Sequence, residues 1–66
     1  MQGIVKEFDA HVGLGIIQAD SGDLFPFHCV NISNGKRTIN IGVKVDFETF
    51  DHPRGRREAR MIEEVN

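Results

Sequence analysis

Two glycines spaced by one residue, followed by a tight turn and an aromatic run, constrain the fold of this chain most. The segments are, in order, Gly13-Leu14-Gly15-Ile16-Ile17, Asp20-Ser21-Gly22-Asp23 and Leu24-Phe25-Pro26-Phe27-His28. Because glycine lacks a Cβ, Gly13 and Gly15 let a strand coil sharply and leave neighbouring side chains open to a partner. Gly22 adopts positive φ easily, which suits a hairpin turn. The pattern predicts a curved antiparallel hairpin in a small β-barrel.

Length and composition limit the classes of protein to which the chain can belong. We expect residues 1–66 to form one domain, because 66 residues bury only a small core and a five-stranded barrel closes its edges economically. No apolar run approaches the roughly 20 residues of a membrane span, and no secretory signal is visible, so we expect no membrane partner. The lone Cys29 excludes an internal disulfide and fits a reducing, cytoplasmic location.

Five strands are predicted from the alternation of apolar and polar residues and from the turns. They cover residues 2–9, 12–19, 24–29, 43–50 and 57–65, with a long connection over 30–42. Residues 57–65 suit a helix by local preference, and only the arrangement of the four preceding strands favours a fifth strand there. The expected fold class is therefore all-β, a small five-stranded antiparallel barrel.

The register of the third strand decides which of its side chains face the core. Alternation places Phe25 and Phe27 on one face and His28 on the other. We favour the register that buries both phenylalanines. A slip by one residue would instead expose Phe25 and Phe27 as additional stacking rings. Pro26 donates no hydrogen bond to a neighbouring strand, so this strand can have a free edge. Pairing of two chains through that edge, as a homodimer, is an open alternative.

In order and spacing, nearly the whole chain resembles the cold-shock domain. The segments that carry the resemblance are Gly3-Ile4-Val5-Lys6-Glu7-Phe8, Val12-Gly13-Leu14-Gly15-Ile16-Ile17, Phe25-Pro26-Phe27-His28-Cys29, Gly42-x-x-Val45-x-Phe47 and Arg54-Gly55. Each segment alone is a weak match, whereas their ordered combination is specific. The resemblance implies an OB-fold barrel of cold-shock type that binds single-stranded RNA or DNA with low sequence specificity. It also implies a chaperone that loosens RNA secondary structure by holding the unpaired strand.

When the binding positions of that family are matched to this sequence, most of the aromatic rings of the family's binding platform are missing here. The nucleic-acid-binding residues that the resemblance implies are Lys6, Phe8, Leu14, Ile16, His28 and Arg54. Glu7 stands where the family has tryptophan, and Leu14 and Ile16 stand where it has phenylalanine. Stacking contributes about 1–3 kcal/mol per base, so the loss of three rings weakens binding about a hundredfold or more. We therefore expect a weak binder.

The arginine cluster and the pair Leu14 and Ile16 each allow a second interpretation. The arginines at 54, 56, 57 and 60 form a phosphate clamp or, beside three glutamates, solvated ion pairs of little energetic weight. Leu14 and Ile16 are either better buried than expected or part of an exposed apolar patch. The alternative function is a barrel that uses the surface of Glu7, Leu14 and Ile16 for a protein partner or for self-association. An acidic first half and the missing aromatics favour this alternative.

Catalysis and metal binding find no support in the sequence. His28 and Cys29 are adjacent, and adjacent residues of a strand point to opposite faces, so they do not easily share one ion. Cys29 has neither a base nor an oxyanion hole, and the carboxylates form no inward pair. We predict no catalytic residue, no metal site and no cofactor.

Overall fold

Across the residues that the structure describes, five antiparallel strands form one sheet. The computed structural model describes residues 1–33, 35, 37–51, 53 and 55–65. The strands are β1 (Gln2–Asp9), β2 (Leu14–Ala19), β3 (Leu24–His28), β4 (Lys44–Asp51) and β5 (Arg57–Glu64). They lie in the order β3-β2-β1-β4-β5. The predicted all-β fold of OB type is confirmed, including the strand nature of the last segment.

The two ends of the sheet meet just after β3. Ile32 pairs with Ile62 of β5, and the Ser33 N–H donates to the Ile62 carbonyl oxygen over 2.8 Å. This contact brings β3 and β5 side by side and closes the sheet into a barrel. In the described part of the chain, no helix is long and apolar enough to cross a membrane.

Five strand boundaries differ by one or two residues from those predicted: the start of β2, the end of β3, both ends of β4 and the end of β5. The first two have a clear cause in the neighbouring turns. β2 begins at Leu14 rather than at residue 12, because Gly13 has φ of 73° and donates its N–H to the Asp9 carbonyl oxygen. β3 ends at His28, and Cys29–Asn31 forms a 3₁₀ turn. The hydrogen bonds of these turns override the alternation that extends both strands in the sequence.

Inward-facing side chains from all five strands and from the connection after β3 form the core. The largest fully buried side chains belong to Phe27, Phe47, Ile17, Ile62, Val5 and Val45. Phe25 is buried as well, and its ring centroid lies 5.7 Å from that of Phe47. The shifted register that would expose Phe25 and Phe27 as stacking rings is therefore wrong, since both rings pack inside the barrel.

Gly15 accounts for the position of the Phe27 ring. The two residues are opposite each other in β2 and β3, and a Cβ at Gly15 would overlap the ring of Phe27. The same Cβ would lie only 2.7 Å from the carbonyl oxygen of Glu7. The glycine spacing predicts strand curvature, and the structure adds a second reason for it, the close approach of this ring to β2.

A bulge in β1 decides which of its residues face outward. Val5 pairs with Ile17 and Glu7 pairs with Ile16, so Lys6 is an extra residue with no partner in β2. Lys6 and Glu7 are consequently both exposed, and Phe8 turns inward. The Phe8 ring stacks on Phe27, with ring centroids 5.9 Å apart and planes within 2° of parallel.

Candidate nucleic-acid interface

The outward faces of β1, β2 and β3 form a groove beside the start of β5. Cross-strand pairing places Glu7, Ile16 and Pro26 in one row across the three strands. Leu14 and His28 occupy the next row. The groove has a volume of about 460 Å³ and is lined by Glu7, Leu14, Gly15, Ile16, Pro26, Phe27, His28, Arg56 and Glu58. We refer to it as the outer groove.

The floor of the outer groove is aliphatic. Leu14 is 53% exposed, whereas Ile16 and Pro26 are half-buried. Of the two interpretations of Leu14 and Ile16, the exposed apolar patch therefore describes Leu14 fully and Ile16 in part. Saturated side chains shield a base from water but offer no π-face for stacking. The floor can hold a flat apolar group without the contribution of an aromatic ring.

Charged side chains stand on both sides of this floor. Glu7 of β1 lies on one side, and Arg56 and Glu58, at the start of β5, lie on the other. Among the described residues, no ion pair or hydrogen bond engages the carboxylate of Glu7 or Glu58. The groove therefore presents two carboxylates and one guanidinium group to any ligand.

His28 contributes a hydrogen-bond donor at one end of the outer groove. Its Nδ1 atom accepts the backbone N–H of Val30 over 3.4 Å and so caps the 3₁₀ turn. With Nδ1 as the acceptor, the proton of the neutral imidazole is on Nε2. The Nε2–H group points away from the Val30 nitrogen and is available to a phosphate or to a base carbonyl oxygen.

The structure brings some of the predicted binding residues together and separates others. Leu14, Ile16 and His28 line the outer groove. Lys6 is exposed on the same side of the sheet, where its Nζ atom lies 3.5 Å from the Gln18 side-chain oxygen. Phe8 is half-buried on the inner side, in contact with Phe27. Arg54 lies outside the described residues.

The arginine cluster divides into side chains with different surroundings. Arg57 pairs with Asp51 over 3.1 Å, and the guanidinium of Arg60 lies 5.6 Å from the centre of the Phe50 ring. Arg57 therefore forms an exposed ion pair, although with an aspartate and not with one of the three glutamates, and Arg60 contacts an aromatic ring instead of forming the predicted ion pair. Arg56 instead lines the outer groove, where it can meet a ligand.

Pro26 and Glu58 complete the outer groove, although neither is among the predicted binding residues. Pro26 faces outward because it lies opposite Ile16, and that register follows from burying Phe25 and Phe27. The position of Glu58 depends on the closure of the barrel between β3 and β5. Alternation along one strand signals the first of these placements but not the second.

Other potential chemistry lies apart from this groove. Within the described ranges, no group of three His, Cys, Asp or Glu side chains is close enough to hold a metal ion. Cys29 is a half-buried free thiol beside Gly13, where a Cβ would lie 2.7 Å from its sulfur. Close packing thus explains the glycine, and the thiol has the surroundings of a structural residue.

Comparison with known proteins relates the whole barrel to one family. The family model of the 'Cold-shock' DNA-binding domain matches residues 1–64. Cold shock-like protein CspC of Bacillus cereus is 35% identical over 63 residues, which cover 94% of this chain and 97% of that protein. Cold shock-like protein CspG of Escherichia coli K12 is 38% identical over 64 residues, covering 94% and 91%. The solved structure of drosophila Unr CSD456 shares the fold, with a TM-score of 0.82 at 21% identity, over 98% of this chain and 26% of that one.

Proposed function

The chain belongs to the cold-shock domain family, and from this premise we propose that it binds single-stranded RNA or DNA in the outer groove with low sequence specificity. The observation that carries the proposal is the exposed aliphatic floor, which is flanked by cationic and donor groups on the outer face of the barrel. Proteins of this family bind nucleic acids without catalysing a reaction, so the proposal contains no catalytic step and no cofactor.

Each predicted binding residue has a role in this proposal. Leu14 and Ile16 shield a base from water on the floor of the groove. Lys6, His28 and Arg54 meet phosphates or base edges, and Arg56 joins them from the far wall. Phe8 has an indirect role, because its ring stacks on Phe27, which lines the groove.

The binding that we propose is weak. No exposed aromatic ring is among the described residues that line the groove, and the net charge of −2 gives no general attraction for phosphates. Glu7 and Glu58 add local repulsion at the groove. We expect affinity in the micromolar range, because each missing ring removes about 1–3 kcal/mol of stacking.

A weak, unspecific hold on unpaired strands suits an RNA or DNA chaperone, since the strand must be released as readily as it is bound. We extend the proposal to residues 1–66 acting as one domain, in the cytoplasm, where the free thiol of Cys29 stays reduced.

Fluorescence anisotropy with labelled oligothymidine, and with its RNA counterpart, tests this function. We expect micromolar binding that weakens as the salt concentration rises, because bound phosphates release counterions. Lys6→Gln should flatten the salt dependence more than the matched variant Lys44→Gln, which removes the same charge from β4. No binding at low salt, where phosphate attraction is strongest, would contradict the proposal.

A second candidate function is contact with a protein partner or with a second copy of the chain. Ile4, Leu14 and Leu24 are 49%, 53% and 56% exposed on β1, β2 and β3, which is a large apolar share for neighbouring strands. Sedimentation velocity distinguishes self-association from nucleic-acid binding. A mass that rises above that of the 7.4 kDa chain with concentration, together with no oligonucleotide binding, would favour this second candidate.

A further inference from the structure

We propose that the outer groove selects bases with an exocyclic amino group, so that it binds cytosine in preference to uracil through the carboxylates of Glu7 and Glu58. This preference rests on the proposed function, because it specifies which bases the same groove accepts. It goes beyond unspecific binding, since phosphate contacts and the aliphatic floor do not distinguish these two pyrimidines.

The register of the sheet places a carboxylate next to the floor. Glu7, Ile16 and Pro26 are direct cross-strand neighbours in a single row, and such neighbours have Cβ atoms about 4.5–5.5 Å apart. A base that rests on Ile16 therefore has one edge within reach of the exposed Glu7 side chain. Glu58 lines the groove from the opposite side, on β5.

The two carboxylates can accept hydrogen bonds from a ligand. An ionised carboxylate only accepts hydrogen bonds, and no described residue engages Glu7 or Glu58 in a hydrogen bond or ion pair. The N4 amino group of cytosine donates hydrogen bonds, and Glu is a known partner for it. Uracil has a carbonyl oxygen at this position, whose lone pairs would face the negative oxygen atoms of the glutamate. A carboxylate that accepts the N3–H of uracil lies beside this carbonyl oxygen and gains one hydrogen bond against that repulsion, whereas the amino group of cytosine donates without it. The C4 edge therefore favours cytosine.

The remaining polar groups of the groove act on both pyrimidines alike when they meet phosphates or the carbonyl oxygen at C2, and not the C4 edge, where uracil alone has an oxygen atom. The Nε2–H of His28 and the guanidinium of Arg56 are donors. Cytosine and uracil both carry a carbonyl oxygen at C2, and both are linked by the same phosphates. An aliphatic floor also covers the two rings equally, because it has no π-face. Discrimination is thus left to the two carboxylates.

The two glutamates weaken phosphate binding in general. Unspecific binding therefore does not explain their position in the groove, whereas selection between bases does. A negative group beside the strand repels every phosphate equally, whatever the sequence. The same carboxylate repels the C4 carbonyl oxygen of uracil, which lowers the affinity for uracil further. For cytosine, a charge-assisted hydrogen bond to the amino group offsets the loss. The expected result is weak binding overall with a measurable preference.

Oligodeoxycytidine and oligodeoxyuridine of equal length, about eight nucleotides, test the preference by anisotropy at neutral pH and low salt. The two strands carry the same number of phosphates, so a difference in affinity reports the base edges. We expect oligodeoxycytidine to bind about tenfold more tightly, which corresponds to about 1.4 kcal/mol.

The variants Glu7→Gln and Glu58→Gln assign the preference to the carboxylates. A glutamine amide both donates and accepts, so it can pair with either base. Each substitution also removes a charge, so we expect tighter binding of both strands and a cytosine-to-uracil ratio that moves towards one. Glu63→Gln is the matched control, because it removes the same charge from a separate hollow beside Met1 and Asp46. The control should leave the ratio unchanged.

The possible results separate this inference from the proposed function. Measurable and equal affinity for the two strands, or a ratio that neither groove variant alters, would overturn the preference and leave nucleic-acid binding intact. No binding of either strand at low salt would overturn the proposed function and the preference together.

Discussion

The inner and outer faces of β1, β2 and β3 differ in chemistry although they are built from neighbouring residues of the same strands. The inner face carries the rings of Phe8, Phe25 and Phe27, two of which stack on each other. The outer face carries the saturated side chains of Leu14 and Ile16, with glutamates at their sides. Aromatic rings here serve the packing of the barrel. Stability therefore depends on the inner face and the proposed nucleic-acid affinity on the outer face, so the two should respond to different substitutions.

The largest expected effect comes from the inner face. Phe27→Ala removes a fully buried ring that packs on Phe8, and we expect it to lower the free energy of unfolding by about 3–5 kcal/mol. Leu14→Ala, on the outer face of the adjacent strand, should change that free energy by about 0.5 kcal/mol or less. Urea unfolding followed by circular dichroism measures both. Similar losses for the two variants would show that stability does not depend mainly on the inner face.

A smaller loss is expected where the two faces meet. Gly15→Ala introduces a Cβ that overlaps the Phe27 ring and approaches the Glu7 carbonyl oxygen, so we expect a loss of about 2 kcal/mol. Gly22→Ala, at a turn with open space but φ of 96°, should cost about 1 kcal/mol through backbone strain alone. If Gly15→Ala cost less than Gly22→Ala, close packing of the ring would not be the reason for the glycine.

An aromatic ring added to the outer face should strengthen nucleic-acid binding there. Leu14→Phe places an aromatic side chain on the exposed floor of the outer groove, and we expect oligothymidine to bind about tenfold more tightly. Met61→Phe is the control, because it adds the same ring beside Met1 and Glu63, in the separate hollow. Equal gains from the two variants would indicate unspecific apolar adsorption instead of a base in the groove.

The smallest expected effect concerns a strained residue away from both faces. Met61 has φ of 53° in β5, next to a bulge where the pairing with β4 shifts, and its side chain is exposed. Glycine adopts this conformation without strain, so Met61→Gly should raise the free energy of unfolding by about 1 kcal/mol. The affinity for oligothymidine should stay unchanged. Destabilisation by this substitution would mean that contacts of the methionine side chain outweigh the strain.

Much of the fold could be predicted from the sequence because local rules determine it. The hairpin between β2 and β3 follows from Gly22 and its flanking aspartates, and the half-buried pattern of β4 follows from simple alternation. The burial of Phe25 and Phe27 also follows from alternation once the correct register is chosen. The start of β2 and the end of β3 required knowledge of the turn hydrogen bonds.

The site was harder to predict because it depends on features that alternation does not reveal. The bulge at Lys6 shifts β1 by one residue and turns Phe8 inward, away from the face that Lys6 and Glu7 share. Glu58 reaches the groove only because β5 closes against β3, a contact between distant parts of the chain. Both placements arise from the tertiary arrangement.

The central claim is that a single strand occupies the outer groove, and amide chemical shifts during an oligothymidine titration test it most directly. We predict the largest shift changes at Glu7, Leu14, Ile16, His28 and Arg56, whose side chains line the groove. Amides around Met1, Asp46 and Glu63 should change little. Changes centred on that second hollow, or no changes at low salt, would contradict the account.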